Sequence, residues 1–157
     1  MFDFIKRKKS EVVAPIEGKC IRIEEVPDKV FSSKMLGDGF AVCPSGDTVV
    51  APVTGEIVMV PDSMHAFGIK TDSGVEVLVH IGLDTVSLNG EGFTLLSAKG
   101  KRVKAGEPVI RFDWKLMKEK KIDMITMLII TGGYDKTLDL SCYNQQVSAG
   151  QILVQQI

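Results

Sequence analysis

No stretch of this 157-residue chain is long and apolar enough to read as a membrane-spanning helix. Its start, MFDFIKRKKS, lacks the extended apolar run of a secretory signal. The three cysteines, Cys20, Cys43 and Cys142, are odd in number and never spaced C-x-x-C. That excludes a regular disulfide framework or zinc knuckle and points to reduced thiols in a cytoplasmic protein. Net charge is only -1, too small for bulk attraction to nucleic acid. There is no G-x-x-x-x-G-K-[ST] loop, no Gly-rich dinucleotide fingerprint, no G-x-S-x-G elbow and no H-E-x-x-H. If phosphate is handled here, another protein delivers it. Histidine is scarce as well, with two in the chain.

What remains is ordinary globular material, 25% charged and 45% hydrophobic, of a length that suits one domain. Residues 1–10 read as a flexible tail and residues 11–157 as a single domain. In the tail, Phe2, Phe4 and Ile5 precede Lys6, Arg7, Lys8 and Lys9. Such a stretch is a solvated terminus that can touch an anionic membrane surface weakly. The initial Met1 and the length lead us to expect a free-standing protein.

From Glu11 onward the pattern is one of short strands between turn signals. Strands are expected at Val12–Glu17, Lys19–Glu24, Phe40–Cys43, Thr48–Val53, Glu56–Val60, His65–Thr71, Val75–Ile81, Pro108–Phe112, Met127–Thr131, Thr137–Leu140 and Ile152–Gln156. Helix is expected only at Trp114–Lys121, with a further turn near Phe31–Met35. Many strands and few helices argue for an all-β sandwich or barrel. Ala14-Pro15-Ile16-Glu17-Gly18 recurs as Ala51-Pro52-Val53-Thr54-Gly55, and Val103-Lys104-Ala105-Gly106 recurs as Val147-Ser148-Ala149-Gly150. A duplicated β motif folded into one sandwich accounts for both echoes.

The histidines sit in this frame. Val75, Val77, Val79 and Ile81 alternate with Glu76, Leu78 and His80, so period two puts His80 on the face opposite the valines. If Thr71 pairs with Gly74 across a two-residue loop, His65 falls directly opposite His80 and their Cβ atoms lie about 5 Å apart. A loop one residue longer would offset them. Two adjacent imidazoles suit acid-base chemistry or nucleophilic attack on phosphorus, in which one ring holds the phosphoryl group and the other donates to its oxygens. They are too few for a stable metal site on their own. Two histidines stacked on a sheet face without chemistry would look the same at this level.

Gly74-Val75-Glu76-Val77-Leu78-Val79-His80-Ile81-Gly82-Leu83-Asp84-Thr85-Val86 resembles the signature of glucose-type IIA domains of the bacterial phosphoenolpyruvate:sugar phosphotransferase system. Ala14-Pro15, Glu25-Val26-Pro27-Asp28, Val30-Phe31, Leu36-Gly37-Asp38-Gly39, Met64-His65-Ala66-Phe67 and Gly90-Glu91-Gly92-Phe93 follow in family order. The resemblance implies a mostly antiparallel β-sandwich with a shallow apolar depression around the histidines. It implies that His80 accepts phosphate through Nε2 from the small carrier HPr and passes it to a cysteine of a transporter's IIB domain. His65 matches the residue that assists transfer, and Ser63 stands where the family often has a threonine that orients it. Asp28 and Asp84 match acidic rim residues that meet arginines of partners. Val30, Phe31, Met35, Leu36, Leu78 and Val86 match the apolar patch. Pro61 and Leu78 replace phenylalanines of some members, and the tail is short beside members with a membrane-contacting arm. Regulatory protein targets are a further expectation. No cofactor is required, though His65 and His80 could hold zinc if a partner adds a carboxylate.

Three other readings fit less well. A zinc endopeptidase of the lysostaphin type needs H-x-x-x-D and H-x-H, but Ile69 lies four residues after His65 and no histidine lies two residues from His80. A lipoyl or biotin carrier needs a modifiable lysine at a hairpin tip, and none is flanked in the usual way. A purely regulatory binding module would use the same patch without a reactive His80.

Overall fold

The computed structural model describes residues 10–157. The tail expected over residues 1–10 therefore lies, up to Lys9, outside the described residues. In chain order the strands are β1 (Val12–Val13), β2 (Gly18–Arg22), β3 (Gly39–Pro44), β4 (Thr48–Val50), β5 (Gly55–Met59), β6 (Ala66–Lys70), β7 (Glu76–Ile81), β8 (Phe93–Leu95), β9 (Arg102–Val103), β10 (Pro108–Phe112), β11 (Thr126–Gly132), β12 (Gln146–Val147) and β13 (Ile152–Val154). Two short helices, α1 (Lys29–Ser32) and α2 (Trp114–Glu119), complete the set with 3-10 turns at Ile23–Glu25 and Thr85–Leu88.

The main sheet has the order β12-β2-β3-β11-β7-β6-β5-β9, and a smaller sheet has the order β4-β10-β8. Every strand pairing is antiparallel. The inner faces meet in one core. Phe67, Ile69, Val77, Val79 and Ile81 of the main sheet join Val49, Val109, Ile110 and Phe93 of the smaller one. Strand β7 shows the reason most plainly: its burial alternates residue by residue, with Val77, Val79 and Ile81 inward and Glu76, Leu78 and His80 outward. A second, smaller cluster lies on the outer face. It gathers Ile21, Ile23, Val26, Phe31, Ala41, Ile125, Met127 and Ile129, with Leu78 and Leu83 packed against it. This outer cluster, capped by α1, is what half-buries the surface around His80.

The sequence echoes become a pseudo-twofold relation. Val13 N donates to Pro52 O and Val50 N donates to Pro15 O, both at 2.8 Å. Gly106 N donates to Ala51 O at 2.8 Å, and Gly150 N donates to Ala14 O at 2.9 Å. The turns that follow match too: Lys104 N bonds Glu107 Oε1 and Ser148 N bonds Gln151 Oε1. Gly18 opposes Val147 just as Gly55 opposes Val103.

Two sequence expectations fail. Thr137–Leu140 is not a strand. Leu138 and Leu140 are buried, but the backbone is held by Leu138 N donating to Asp38 Oδ2 at 2.8 Å rather than by a ladder. Alternating burial can therefore arise in a pinned loop as well as in a strand. The β6–β7 hairpin also has a three-residue loop, because Thr71 N bonds Val75 O and Gly74 sits at φ 91°. Only glycine adopts that left-handed conformation cheaply, and it adds the extra residue. The register becomes Ala66 opposite His80, one residue from the two-residue-loop expectation.

Candidate active site

His80 projects from the outer face of β7, between Ala66 of β6 and Met127 of β11 in register. Its Nδ1 lies 3.0 Å from the carbonyl oxygen of Gly82. A carbonyl only accepts, so Nδ1 carries the proton and Nε2 keeps its lone pair. Gly82 can aim its carbonyl this way because it sits at φ 80°. A Cβ there would lie 2.6 Å from Thr85 Cγ2 and 2.9 Å from Met124 Sδ, so no other residue fits. Thr85, fully buried, donates its hydroxyl to Ile81 O at 2.6 Å and closes the turn.

His65 reaches the same face by a different route than the strand ladder. It precedes β6, and its carbonyl accepts from Ile81 N at 2.7 Å. Ile81 points into the core, so a regular strand would carry His65 inward as well. Met64, at φ 55°, turns the chain just before it, and the ring emerges beside His80 instead. The two imidazole centroids are 5.0 Å apart with planes at 80°. Ser63 Oγ lies 2.5 Å from His65 Nδ1, and among the described residues the Nε2 edge of His65 has no hydrogen-bond partner.

Burial pushes the His80 ring's pKa down to about 4, and the neighbouring His65 adds to the fall. The Gly82 carbonyl and the carboxylates of Asp28 and Asp84 pull the other way. Burial lowers His65 as well. Both rings are therefore neutral near pH 7, with His80 presenting an available nitrogen.

The remaining predicted residues surround this pair unevenly. Phe31 is not a surface residue: only 5% of it is exposed, and its ring packs 4.9 Å from that of His80. Leu78 is half-buried two residues before His80 on the same face. Val30, Met35, Leu36 and Val86 are exposed, Met35 the most at 75%. Asp28 caps α1, its Oδ1 accepting from Val30 N at 2.9 Å. Asp84 is exposed in a left-handed conformation at φ 57°, and its carboxylate caps nothing in the turn that follows. Gly82 and Thr85, which set the His80 tautomer and its turn, were not among the sequence candidates. A carbonyl leaves no side-chain signal, although both residues lie inside the quoted motif. Among the described residues no group of three or more His, Cys, Asp or Glu side chains is placed to hold a metal ion. The two imidazoles offer at most two ligands. No helix among the described residues is long and apolar enough to cross a membrane.

The sequence matches, over residues 10–135, the family described as phosphoenolpyruvate-dependent sugar phosphotransferase system, EIIA 1. It is similar to the glucose-specific EIIA component of Halalkalibacterium halodurans, 45% identical over 139 residues that cover 83% of this chain and 80% of that protein. The glucose-specific EIIA component of Buchnera aphidicola is 39% identical over 152 residues, covering 97% of this chain and 94% of the relative. The mannose-specific EIIBCA component of Corynebacterium glutamicum is 46% identical over 121 residues, and there the match spans only 18% of the longer protein. The solved structure of glucose permease IIA from Mycoplasma capricolum superposes with a TM-score of 0.86 at 40% identity, covering 98% of both chains. This chain belongs to the EIIA family of the phosphoenolpyruvate-dependent sugar phosphotransferase system, whose members are phosphocarriers of sugar uptake.

Proposed function

We propose that His80 Nε2 is the atom that carries the phosphoryl group from HPr to a cysteine of a IIB domain. The observation that supports this most is the Nδ1 bond to the Gly82 carbonyl on a ring held neutral by burial. In uptake the Nε2 lone pair attacks phosphorus, the N–P bond forms, and the bond from phosphorus to the donor breaks with its electrons leaving on the donor. The ring becomes cationic as the bond forms. The Gly82 carbonyl and the Asp28 and Asp84 carboxylates, which already favour a cationic ring, then stabilise it. In onward transfer the IIB thiolate attacks phosphorus and the N–P electrons return to Nε2. With Ser63 donating to His65 Nδ1, His65 Nε2 carries a proton and donates it as a hydrogen bond to a phosphoryl oxygen.

The exposed Val30, Met35, Leu36 and Val86 form the apolar ring that docks partners and excludes water from the reacting bond. Asp28 and Asp84 steer cationic partner groups. We assign the exchange to the cytoplasm on the sequence evidence for reduced thiols. Zinc would bind at His65 and His80 only in a complex whose partner adds a carboxylate. Partner affinity indifferent to zinc would remove that idea.

Rapid-quench kinetics of His65→Gln test the division of labour. Onward transfer to IIB should slow by about 100–1000-fold, a loss of the size expected for one hydrogen-bond donor to a developing anion. Uptake from phospho-HPr should fall less. Onward transfer at the wild-type rate would show that His65 does not assist.

A further inference from the structure

Two of the three cysteines meet inside the sandwich, away from the histidines. Cys20 lies in β2 and is fully buried, and Cys142 lies between β11 and β12 with 8% of its surface exposed. They are 122 positions apart in the chain, yet the Cys142 thiol donates to Cys20 Sγ at 3.4 Å. A disulfide needs about 2.0 Å, so the sulfurs have only roughly 1.4 Å to close. The backbones on either side are already tied. Cys20 N donates to Gln145 O at 2.9 Å, and Asn144 N donates to Cys20 O at 2.7 Å. Both residues are thiols in this structure. A single buried cysteine is merely a small apolar side chain. Two with facing sulfurs are a bond waiting for an oxidant. Cys43 takes no part: it opposes Lys19 while its neighbour Val42 opposes Cys20, so it stands on the other face of the sheet and is exposed.

The pair sits where the fold is held least. Strand β12 is two residues long and hydrogen-bonds only to β2, at one edge of the main sheet. Residues 133–145 before it contain no helix or strand. A covalent link from β2 to Cys142 fixes the end of that segment. It also closes a very long loop, which restrains the unfolded chain strongly.

We propose that Cys20 and Cys142 form a reversible disulfide when the protein meets hydrogen peroxide, and that this bond clamps the 133–145 segment and β12 onto β2. Cys142 reacts first, because it alone of the two has exposed surface. Its deprotonated sulfur attacks one peroxide oxygen, the O–O bond breaks, and the leaving hydroxide takes up the thiol proton as water. The Cys20 sulfur then attacks the sulfur of the Cys142 sulfenic acid. The S–O bond breaks, and hydroxide leaves as a second water with the Cys20 proton. Two thiols are oxidised and one peroxide is reduced to two waters. Burial pushes the Cys20 pKa up, which keeps this thiol inert until a sulfenic acid forms beside it. The clamp leaves the phosphoryl site alone. Strands β3 and β11 separate β2 from β7, a spacing of about 14 Å, and Cys20 faces the core while His80 faces outward.

The test uses the full chain carrying Cys43→Ser, so that no exposed thiol competes. After hydrogen peroxide the protein should be lighter by two hydrogen atoms, and peptide mapping should join Cys20 to Cys142. Its Tm should rise by about 5 °C or more, and dithiothreitol should reverse both changes. Phosphoryl uptake from phospho-HPr should stay within about twofold. Cys142→Ala and Cys20→Ala, each shown to be folded by its own melt, should gain neither the link nor the rise in Tm. Thiols that stay unlinked, or that go on to sulfinic acid without joining, would overturn the proposal. A link that leaves Tm unchanged would overturn the clamp.

Discussion

A neutral imidazole is a good nucleophile, and a phosphorylated one is a cation that needs support. At His80 these demands fall on different neighbours. Phe31, the outer cluster and His65 disfavour charge on the empty ring, while the Gly82 carbonyl, Asp28 and Asp84 are aligned with the charge that phosphorylation creates. The pH dependence of stability follows. Below about pH 6.5 the unfolded chain takes up a proton at His80 that the folded chain refuses until about pH 4. Stability from this residue is therefore full above about pH 6.5, declines as pH falls through the window, and levels off below about pH 4. The whole effect is about 3 kcal/mol at most. Urea midpoints between about pH 4 and pH 7 should therefore fall less steeply towards acid in His80→Gln than in wild type. Parallel profiles for the two proteins would mean that His80 titrates normally in the folded state. The sequence shows which way this residue faces, because period two in β7 is unbroken. It does not show the Gly82 carbonyl partner, because a backbone acceptor has no residue type.

At the scale of elements, α1 is four residues long and still matters most to the site. Its Asp28 cap supplies the first turn with a side-chain acceptor, and its Phe31 covers His80. Phe31→Ala should cost about 3 kcal/mol for the lost packing. It should also let water reach the imidazole, so that the His80 pKa climbs from about 4 toward its ordinary value. An NMR titration of the ring protons checks this. A pKa that stays near 4 would show that Phe31 is not what buries the ring. The longer strands were legible from alternation and turn residues, within one to three residues at their ends. The pairs Arg102–Val103 and Gln146–Val147 were not, since two residues offer no period to read. The juxtaposition of the histidines was read correctly from an incorrect register. Gly74 lengthens the hairpin loop by one residue, and the left-handed Met64 turns His65 back onto the outer face. The two departures offset each other in a way that spacing alone does not reveal.

Across the whole molecule, the duplicated Ala-Pro and Ala-Gly turns join two halves of the sandwich by matched backbone bonds. One half of the outer face is closed by α1 and the segment before it. The other half, over β5 and β6, stays open. His80 sits at the boundary, sheltered enough to stay neutral and open enough to meet a protein. The echoes in the sequence announced this duplication. They could not say which outer surface would be covered, because that depends on the long connection between β2 and β3 folding back. The most direct test incubates the protein with phosphoenolpyruvate, enzyme I and HPr and locates the modification by tandem mass spectrometry under alkaline conditions. One acid-labile phosphoryl group should appear, on His80, and none should appear in His80→Ala. Phosphate on His65 or elsewhere, or undiminished uptake by His80→Ala, would contradict the account.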